Sequence, residues 1–182
     1  MAPQSGQDHQ SRAPRGSRRK YGLIGRTLAH SFSPRYFGDF FAREGIDASY
    51  LPYELASIEE LPSLLAREPD LCGLNVTLPY KREVLRYVDV PSPDVEALQA
   101  TNVLRIRRGT TGQTQVYGYN TDVEGFRRSL FIWLGGQRPR ALVFGSGGAA
   151  SAVLRALSLL GLEGQQVSRH PRQGMVAYEE LR

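Results

Sequence analysis

The sequence predicts an α/β protein with largely parallel sheets, divided into two units. Strand-like and helix-like segments alternate along nearly the whole chain, an order typical of sheets whose strands are connected through helices. A linker at residues 135–139, which contains two glycines, separates a longer N-terminal unit from a shorter second unit. The second unit offers one strand–helix–strand succession before Arg182, too little to cover both faces of a sheet, so we expect it to be incomplete.

The N-terminal unit should open with a buried strand at residues 21–25, followed by a polar loop to Pro34. Strands are then expected at 48–55, 71–76, 102–108 and 115–118, the last two flanking a hairpin-like turn. Helices are expected at 35–45 and 57–68, and a short one ends near residue 99. Pro79 suits the first turn of a helix, so another helix should carry Lys81 as far as Val88. Thr121 or Asp122 should cap a helix that extends to Leu134.

The second unit is expected to contain a strand at 140–144, a helix at 147–160 and a strand at 165–168. The expected division of the chain is therefore a tail (1–20), the N-terminal unit (21–134) and the second unit (140–182).

The formal net charge of +5 is concentrated in the tail, which carries a net of +4, so the remainder is nearly neutral. A tail rich in Gln, Ser, Pro, Gly and Arg is expected to be disordered, with a nucleic-acid arm or an organelle transit peptide as alternatives. No apolar run approaches the ~18 residues of a membrane span. The single cysteine, Cys72, excludes an internal disulfide and favours the cytoplasm. We therefore expect neither nucleic acid nor membrane as a partner, and nothing predicts the oligomeric state.

Lysine is almost absent from this arginine-rich chain. Lys20 lies in the tail, and Lys81 is the only lysine in the body. Lysine offers a compact ammonium group that can release a proton, which arginine does not. Lys81 is therefore a candidate for proton transfer, and its chance survival is the alternative.

A glycine pattern stands between the first strand and the helix of the second unit. Residues 145–150 read Gly-Ser-Gly-Gly-Ala-Ala, which matches the G-x-G-x-x-A fingerprint of Rossmann-type dinucleotide-binding domains. Exposed amides at the helix start would receive the pyrophosphate; a purely structural glycine turn is the alternative. Past the next strand an arginine stands where NAD-binding domains have an acid, which favours NADP. The candidate cofactor-binding residues are Gly145, Ser146, Gly147, Gly148, Ala149, Ser168 and Arg169.

Three polar segments of the N-terminal unit are candidates for ligand contact. Ser31 and Ser33 could bind a carboxylate or hydroxyl groups, or form a turn that caps the next helix. Thr77 follows a predicted strand, at the kind of position where α/β sheets place ligands. Asp122 could act on a ligand or only cap a helix. No set of metal ligands is predicted.

Together these segments resemble the shikimate dehydrogenase family. The motifs that carry the resemblance occur in the family's order: His-Ser-Phe-Ser-Pro (30–34), Asn-Val-Thr-Leu-Pro-Tyr-Lys (75–81), Ala-Thr-Asn (100–102), Gly-Tyr-Asn-Thr-Asp (118–122) and Gly-Ser-Gly-Gly-Ala (145–149). Each motif is modest alone, but the ordered set across residues 20–180 is highly specific. The resemblance implies an N-terminal α/β substrate domain followed by an incomplete Rossmann-type NADP-binding domain, in a C-terminally truncated chain.

The resemblance also implies an activity, the NADP-dependent interconversion of 3-dehydroshikimate and shikimate in aromatic amino-acid biosynthesis. Lys81 and Asp122 would form the catalytic pair, Ser31 and Ser33 would hold the substrate carboxylate, and Thr77, Asn102 and Asp122 would bond its ring hydroxyls. Two positions depart from the family pattern: Val103 replaces a threonine, and Ser168-Arg169-His170 replaces Asn-Arg-Thr. A fragment that binds substrate without catalysis and a quinate-using relative are the alternatives.

Overall fold

The structure is a computed structural model that describes residues 18–181. The disordered tail predicted at 1–20 therefore lies outside the described residues except for its last three. Arg19 and Lys20 already belong to the first strand, which begins two residues earlier than the sequence predicts.

The N-terminal unit is built on a six-stranded mixed sheet. Its strands are β1 (Arg19–Gly25), β2 (Ala48–Glu54), β3 (Leu71–Val76), β4 (Val90–Pro91), β5 (Val103–Arg108) and β6 (Thr114–Tyr119), in the spatial order β2-β1-β3-β5-β6-β4. Strand β1 runs parallel to β2 and β3, whereas β5 is antiparallel to β3 and β6. The predicted hairpin is thus confirmed, and it brings antiparallel pairing into the sheet because its short turn reverses the chain direction.

The helices of residues 18–181 are α1 (Ser33–Arg43), α2 (Leu61–Arg67), α3 (Pro93–Leu98), α4 (Thr121–Leu134) and α5 (Gly148–Leu159), with short 3₁₀ turns at Ile58–Glu60, Glu83–Tyr87 and Tyr178–Glu180. The main core lies between the sheet and the segments that follow β2 and β3. Its members are large, almost fully buried side chains such as Ile24, Ile58, Leu64, Tyr80 and Leu104. A second cluster of Leu23, Leu28 and Tyr50 packs beneath α1.

The helix that was expected to carry Lys81 is absent, so that prediction is wrong. The Leu78–Pro79 peptide is cis, and turns over residues 78–82 lead into the 3₁₀ segment. Long-range contacts explain the difference. The carbonyl of Lys81 accepts a hydrogen bond from the amide of Thr101 at 2.8 Å, and the hydroxyl of buried Tyr80 donates to the carbonyl of Leu55 at 2.6 Å. The side chain of Lys81 therefore extends from a turn, not from a helix, and the backbone of this turn is hydrogen-bonded to Thr101, two residues before β5.

The second unit contains a three-stranded parallel sheet, β7 (Ala141–Phe144), β8 (Gly164–Ser168) and β9 (Met175–Ala177), in that spatial order. The sequence did not predict β9, whose three residues are too few to show a strand period. Helix α5 covers one face of the sheet through Val143, Ala150 and Leu157. Leu142 and Phe144, at alternate positions of β7, remain 51% and 58% exposed.

The two units touch through helices α4 and α5. Val123 of α4 packs against Ala152 and Ala156 of α5, with Leu98 beside them. Arg155 of α5 also pairs with Asp94 of α3, with 3.3 Å between Nε and Oδ1. Because α4 begins with Thr121-Asp122, this contact joins the candidate catalytic residues directly to the second unit.

Candidate active site

One edge of the six-stranded sheet gathers nearly all the polar residues singled out in the N-terminal unit. Strands β1 and β3 are parallel, so the loop after Gly25 and the segment after Val76 emerge side by side. Strand β5 is antiparallel to both neighbours, so its first residues and the end of β6 meet at this same edge, with Val103 opposite both Asn75 and Tyr119. We call this the substrate edge. The topology thereby brings together segments that lie up to about a hundred residues apart, as expected at strand ends of α/β sheets.

Lys81 and Asp122 form an ion pair at the substrate edge. The distance from Nζ of Lys81 to Oδ2 of Asp122 is 2.7 Å, across 41 residues of sequence. Their side chains are 30% and 40% exposed, so the pair is ordered by its neighbours but open to a ligand. An ammonium that can give up a proton, held by a carboxylate that can also accept a hydrogen bond, is the arrangement that general acid–base chemistry requires.

Asn102 holds the second oxygen of this carboxylate. Its Nδ2 donates to Oδ1 of Asp122 at 2.7 Å and to Oγ1 of Thr121 at 3.0 Å. Its Oδ1 accepts from the amide of Thr121 at 2.8 Å. The residue is only 9% exposed, and every polar atom of its side chain is engaged. The predicted contact of Asn102 with a substrate hydroxyl stays a prediction, and in the structure Asn102 orients Asp122.

Asn120 is the residue that caps α4, not Thr121 or Asp122 as predicted. Its Oδ1 accepts from the amide of Asp122 at 3.2 Å, while its Nδ2 donates to the carbonyl of Ala100 at 3.0 Å. The cap falls one residue earlier because Asn120 keeps an extended backbone while its side chain reaches the helix, the usual geometry of an N-cap. Asn120 was missed as a site residue, although an Asn at a strand-to-helix junction is a sequence signal for it.

The loop with the two serines lies against the segment that follows β3 and begins with Thr77. We define the serine loop as residues 26–33; both Ser31 and Ser33 are partly exposed. The amide of Arg26 donates to the carbonyl of Leu78 at 3.4 Å. A Cβ on Gly25, where the loop begins, would lie 2.7 Å from the Cγ2 of Thr77, so this close approach requires glycine. The structure thus places Ser31, Ser33 and Thr77 on neighbouring segments of one edge.

The glycine turn of the second unit is open, and we call residues 145–149 the glycine loop. Gly145 has a φ of +112°, a conformation that side-chain-bearing residues rarely adopt. A Cβ at Gly145, Gly147 or Gly148 would meet no atom within 4 Å. The loop is anchored to β8, because Nε2 of Gln166 donates a hydrogen bond to the carbonyl of Gly145 at 2.8 Å. Open backbone before a helix start suits an anionic group.

Ser168 ends β8 beside this loop, and Arg169 follows it. Ser168 is buried, and its Oγ accepts a hydrogen bond from the amide of His170 at 3.2 Å, which shapes the turn. Arg169 is exposed and is available to an anion. The bond between Gln166 and Gly145 keeps the end of β8 close to the glycine loop, and sequence reasoning did not identify Gln166.

The described residues contain neither a cluster of potential metal ligands nor a helix that could span a membrane. Within residues 18–181, no group of three or more His, Cys, Asp or Glu side chains is arranged to hold a metal ion. In the same part of the chain, no helix combines the length and hydropathy needed to cross a bilayer.

Known proteins resemble this chain in sequence. Residues 23–104 match the family model described as the shikimate dehydrogenase substrate binding domain. The NADP(+)-dependent shikimate dehydrogenase of Caldicellulosiruptor saccharolyticus is 36% identical over 149 residues, which are 80% of this chain and 52% of that protein. The corresponding protein of Syntrophomonas wolfei is 38% identical over 78% of this chain and 47% of its own length.

The chain belongs to the shikimate dehydrogenase family. Solved structures of shikimate dehydrogenases agree with the fold. The Thermus thermophilus enzyme in complex with NADP(H) and shikimate superposes with a TM-score of 0.74 at 30% identity, covering 87% of this chain and 62% of that one. A chorismate mutase/shikimate 5-dehydrogenase fusion from Clostridium acetobutylicum gives 0.75 at 31% identity, over 91% and 63%. The chain spans about half the length of the curated relatives that it matches.

These findings confirm the predicted family and the predicted fold class, an α/β substrate domain followed by a Rossmann-type unit. The family model matches residues 23–104 only, and it does not assign roles to individual residues. The predicted domain bounds and residue roles therefore stay predictions. The geometry brings both Lys81 and Asn102 into direct contact with Asp122.

One departure from the shikimate dehydrogenase pattern has a structural counterpart. Val103 lacks the hydroxyl of the family's threonine. Two residues earlier, where the family pattern has valine, this chain has Thr101. Thr101 is completely buried, and its Oγ1 lies 2.6 Å from the carbonyl of Tyr119 and 3.0 Å from that of Val103. Its hydroxyl therefore links the start of β5 to the end of β6, the strand that leads to Asp122.

Proposed function

We propose that this chain acts as an NADP-dependent shikimate dehydrogenase, which interconverts 3-dehydroshikimate and shikimate in aromatic amino-acid biosynthesis. The observation that carries the proposal is the Lys81–Asp122 pair, held at 2.7 Å on the substrate edge by Asn102. Membership of the family supplies the reaction and the substrate class. The proposal concerns the activity of this chain, which spans about half of its relatives' length.

Reduction of the substrate ketone places negative charge on the carbonyl oxygen, and the positively charged Lys81 would interact with that oxygen. Its ammonium group stabilises the developing alkoxide and then transfers a proton to it, leaving a neutral amine. Asp122 keeps the ammonium oriented and accepts a hydrogen bond from a ring hydroxyl. Because the Lys81 side chain is 30% exposed, solvent can return the proton. In the oxidation of shikimate, the amine takes the hydroxyl proton.

The remaining contacts would fix the ring. Ser31 and Ser33 donate hydroxyl hydrogen bonds to the substrate carboxylate, and Thr77 accepts or donates one at a ring hydroxyl. Asn102 orients Asp122, and it would bond a hydroxyl only by exchanging one of its present partners. These positions lie on adjacent loops of the substrate edge.

The residues of the second unit fit a dinucleotide. The space around Gly145, Gly147 and Gly148 is open, and these residues, with Ser146 and Ala149, would hold the pyrophosphate, while Ser168 and Arg169 would hold the 2′-phosphate of NADP. When bound, the nicotinamide supplies or removes the hydride.

The decisive test is the reduction of NADP by shikimate, followed at neutral pH with the purified chain. Lys81→Ala should lower the rate by a factor of about 10²–10⁴, the usual contribution of a general acid–base group. Lys20→Ala is the matched control, because it removes the only other lysine, which pairs with Glu68 away from the site. Equal rates in wild type and Lys81→Ala would contradict the proposal.

Quinate in place of shikimate separates the enzymatic alternatives, because a quinate-using relative should reduce NADP faster with quinate. A folded chain that binds shikimate in calorimetry without reducing NADP would instead support the binding fragment. We also propose a cytoplasmic location, supported by the presence of one cysteine in the whole sequence, which fits a reducing compartment.

A further inference from the structure

We infer that Glu54 and Tyr50, both on β2, are positioning residues that hold the serine loop and Asn75 in the geometry that binds the substrate carboxylate. The inference rests on the proposed function and adds to it. Neither residue was assigned a role from the sequence, and β2 itself carries none of the candidate ligand contacts. Strand β2 is the edge strand beside β1, so it flanks the point where the serine loop leaves the sheet.

Glu54 anchors the backbone of the serine loop. Its Oε1 accepts a hydrogen bond from the amide of Leu28 at 2.6 Å. The next residue along the chain, Leu55, donates its own amide to the carbonyl of Gly25 at 3.0 Å. A carboxylate that accepts from a backbone amide makes a charge-assisted bond, stronger than a neutral one. The first turn of the loop is thus bonded at its start and three residues later.

Tyr50 joins the same loop to the end of β3. Its hydroxyl donates to Oδ1 of Asn75 at 2.8 Å, which leaves the Nδ2 hydrogens of Asn75 for a ligand. Its ring stacks on Phe37 of α1 with centroids 4.6 Å apart and planes at 17°, and it packs against Leu28. Burial raises the pKa of Tyr50 to about 12, and a hydrogen bond with the side chain of Ser33 lowers it in part.

Leu28 is therefore held twice by β2, through its amide by Glu54 and through its side chain by Tyr50. Ser31 follows within one turn, because its amide donates to the carbonyl of Leu28 at 2.8 Å. A shift of Leu28 would move both serines relative to Asn75 and Thr77. The main core does not include these residues, so their loss should disturb binding more than folding.

The test compares the affinities of shikimate and its methyl ester, measured by calorimetry on the full chain. The ester keeps the ring and hydroxyls but lacks the carboxylate charge, so the ratio of the two affinities reports on the serine loop. We expect Tyr50→Phe to lower that ratio about tenfold, as expected when a buried hydrogen bond is lost. Glu54→Ala should have a similar effect, and Glu54→Gln should restore much of the ratio because its amide oxygen still accepts from Leu28.

Tyr21→Phe is the matched control. Tyr21 packs against the same cluster, with its ring tilted by 49° against that of Phe41. Its hydroxyl takes part in none of the side-chain hydrogen bonds found within residues 18–181. It should leave the ratio unchanged. An unchanged ratio in Tyr50→Phe and Glu54→Ala, with wild type binding shikimate, would overturn this inference alone. Failure of the wild type to bind either ligand would refute the proposed function and the inference with it.

Discussion

The substrate edge and the glycine loop are stabilised in different ways. At the substrate edge, side chains from distant segments bond to one another, as Asn102 does to Thr121 and Asp122. In the glycine loop, the backbone conformation defines the shape, since Gly145 has a φ of +112°. Neighbouring atoms leave open space around its glycines. The first region therefore depends on the whole sheet, whereas the second depends on the backbone of consecutive residues and one anchoring bond from Gln166.

This difference predicts that substitutions in one region should leave ligand binding in the other intact. The contact between α4 and α5 is the route by which a disturbance could pass from one to the other. Affinities for shikimate and for NADP, measured separately, therefore test the comparison directly.

Among the substitutions that test this separation, the largest effect should follow Asp122→Asn. An asparagine offers one acceptor oxygen where the carboxylate now serves both Lys81 and Asn102, so one of the two contacts must fail. We expect kcat/KM to fall by a factor of about 10²–10³, within the usual range for acid–base machinery. NADP affinity should not change. Asp94→Asn is the control, since Asp94 pairs with Arg155 away from Lys81. A fall in NADP affinity equal to the loss of activity would contradict the separation.

Gly145→Ala should produce the opposite pattern. An alanine at a φ of +112° costs about 1–3 kcal/mol, so the loop must change its backbone conformation to accept the side chain. NADP affinity should drop by roughly tenfold or more, with shikimate affinity retained. Gly125→Ala, in the interior of α4 with nothing within 4 Å of its Cβ, should leave both affinities unchanged. Retained NADP affinity in Gly145→Ala would show that side chains, not backbone, define this site.

A smaller effect is expected from Asn120→Ala. The variant loses the cap of α4 and leaves the buried carbonyl of Ala100 without its partner, which together should destabilise the fold by about 1–3 kcal/mol. Urea unfolding measures the loss. Asn120→Asp keeps the acceptor for the Asp122 amide but loses the donor to Ala100, so an intermediate stability is expected. Equal stability of all three proteins would show that the cap contributes nothing.

The smallest effect concerns Glu124, on the exposed side of α4. Hydrogen bonds from Arg127 and Arg128 lower the pKa of its carboxyl from 4.5 to about 2. A lowered pKa in the folded state means that this contribution is fully present above about pH 4.5 and is lost as the pH falls towards 2. The gap in urea midpoint between wild type and Glu124→Gln should therefore be small and should narrow below pH 4.5. A gap that widens in acid would contradict this pairing.

Much of the fold followed from short-range pattern. The strand at Leu71–Val76, the hairpin of β5 and β6 and the strand–turn–helix around Gly145 were all predicted, because alternation and glycine conformation act between neighbours in sequence. The errors arose where long-range bonds decide. The Thr101 amide bonds the Lys81 carbonyl, and no local preference for a helix after Pro79 can reveal that contact.

The sequence by itself determined the family, the α/β class and the residue types at the site, since ordered motifs and periodicity are written in consecutive residues. Only the tertiary structure decided that Lys81 meets Asp122 at 2.7 Å, that Asn102 orients this carboxylate, and that Glu54 holds the serine loop. These contacts join residues from 20 to 41 positions apart. The first two exist because antiparallel β5 and β6 return the chain to the edge where parallel β1 and β3 end. The third exists because parallel β1 and β2 end side by side, with Gly25 opposite Glu54.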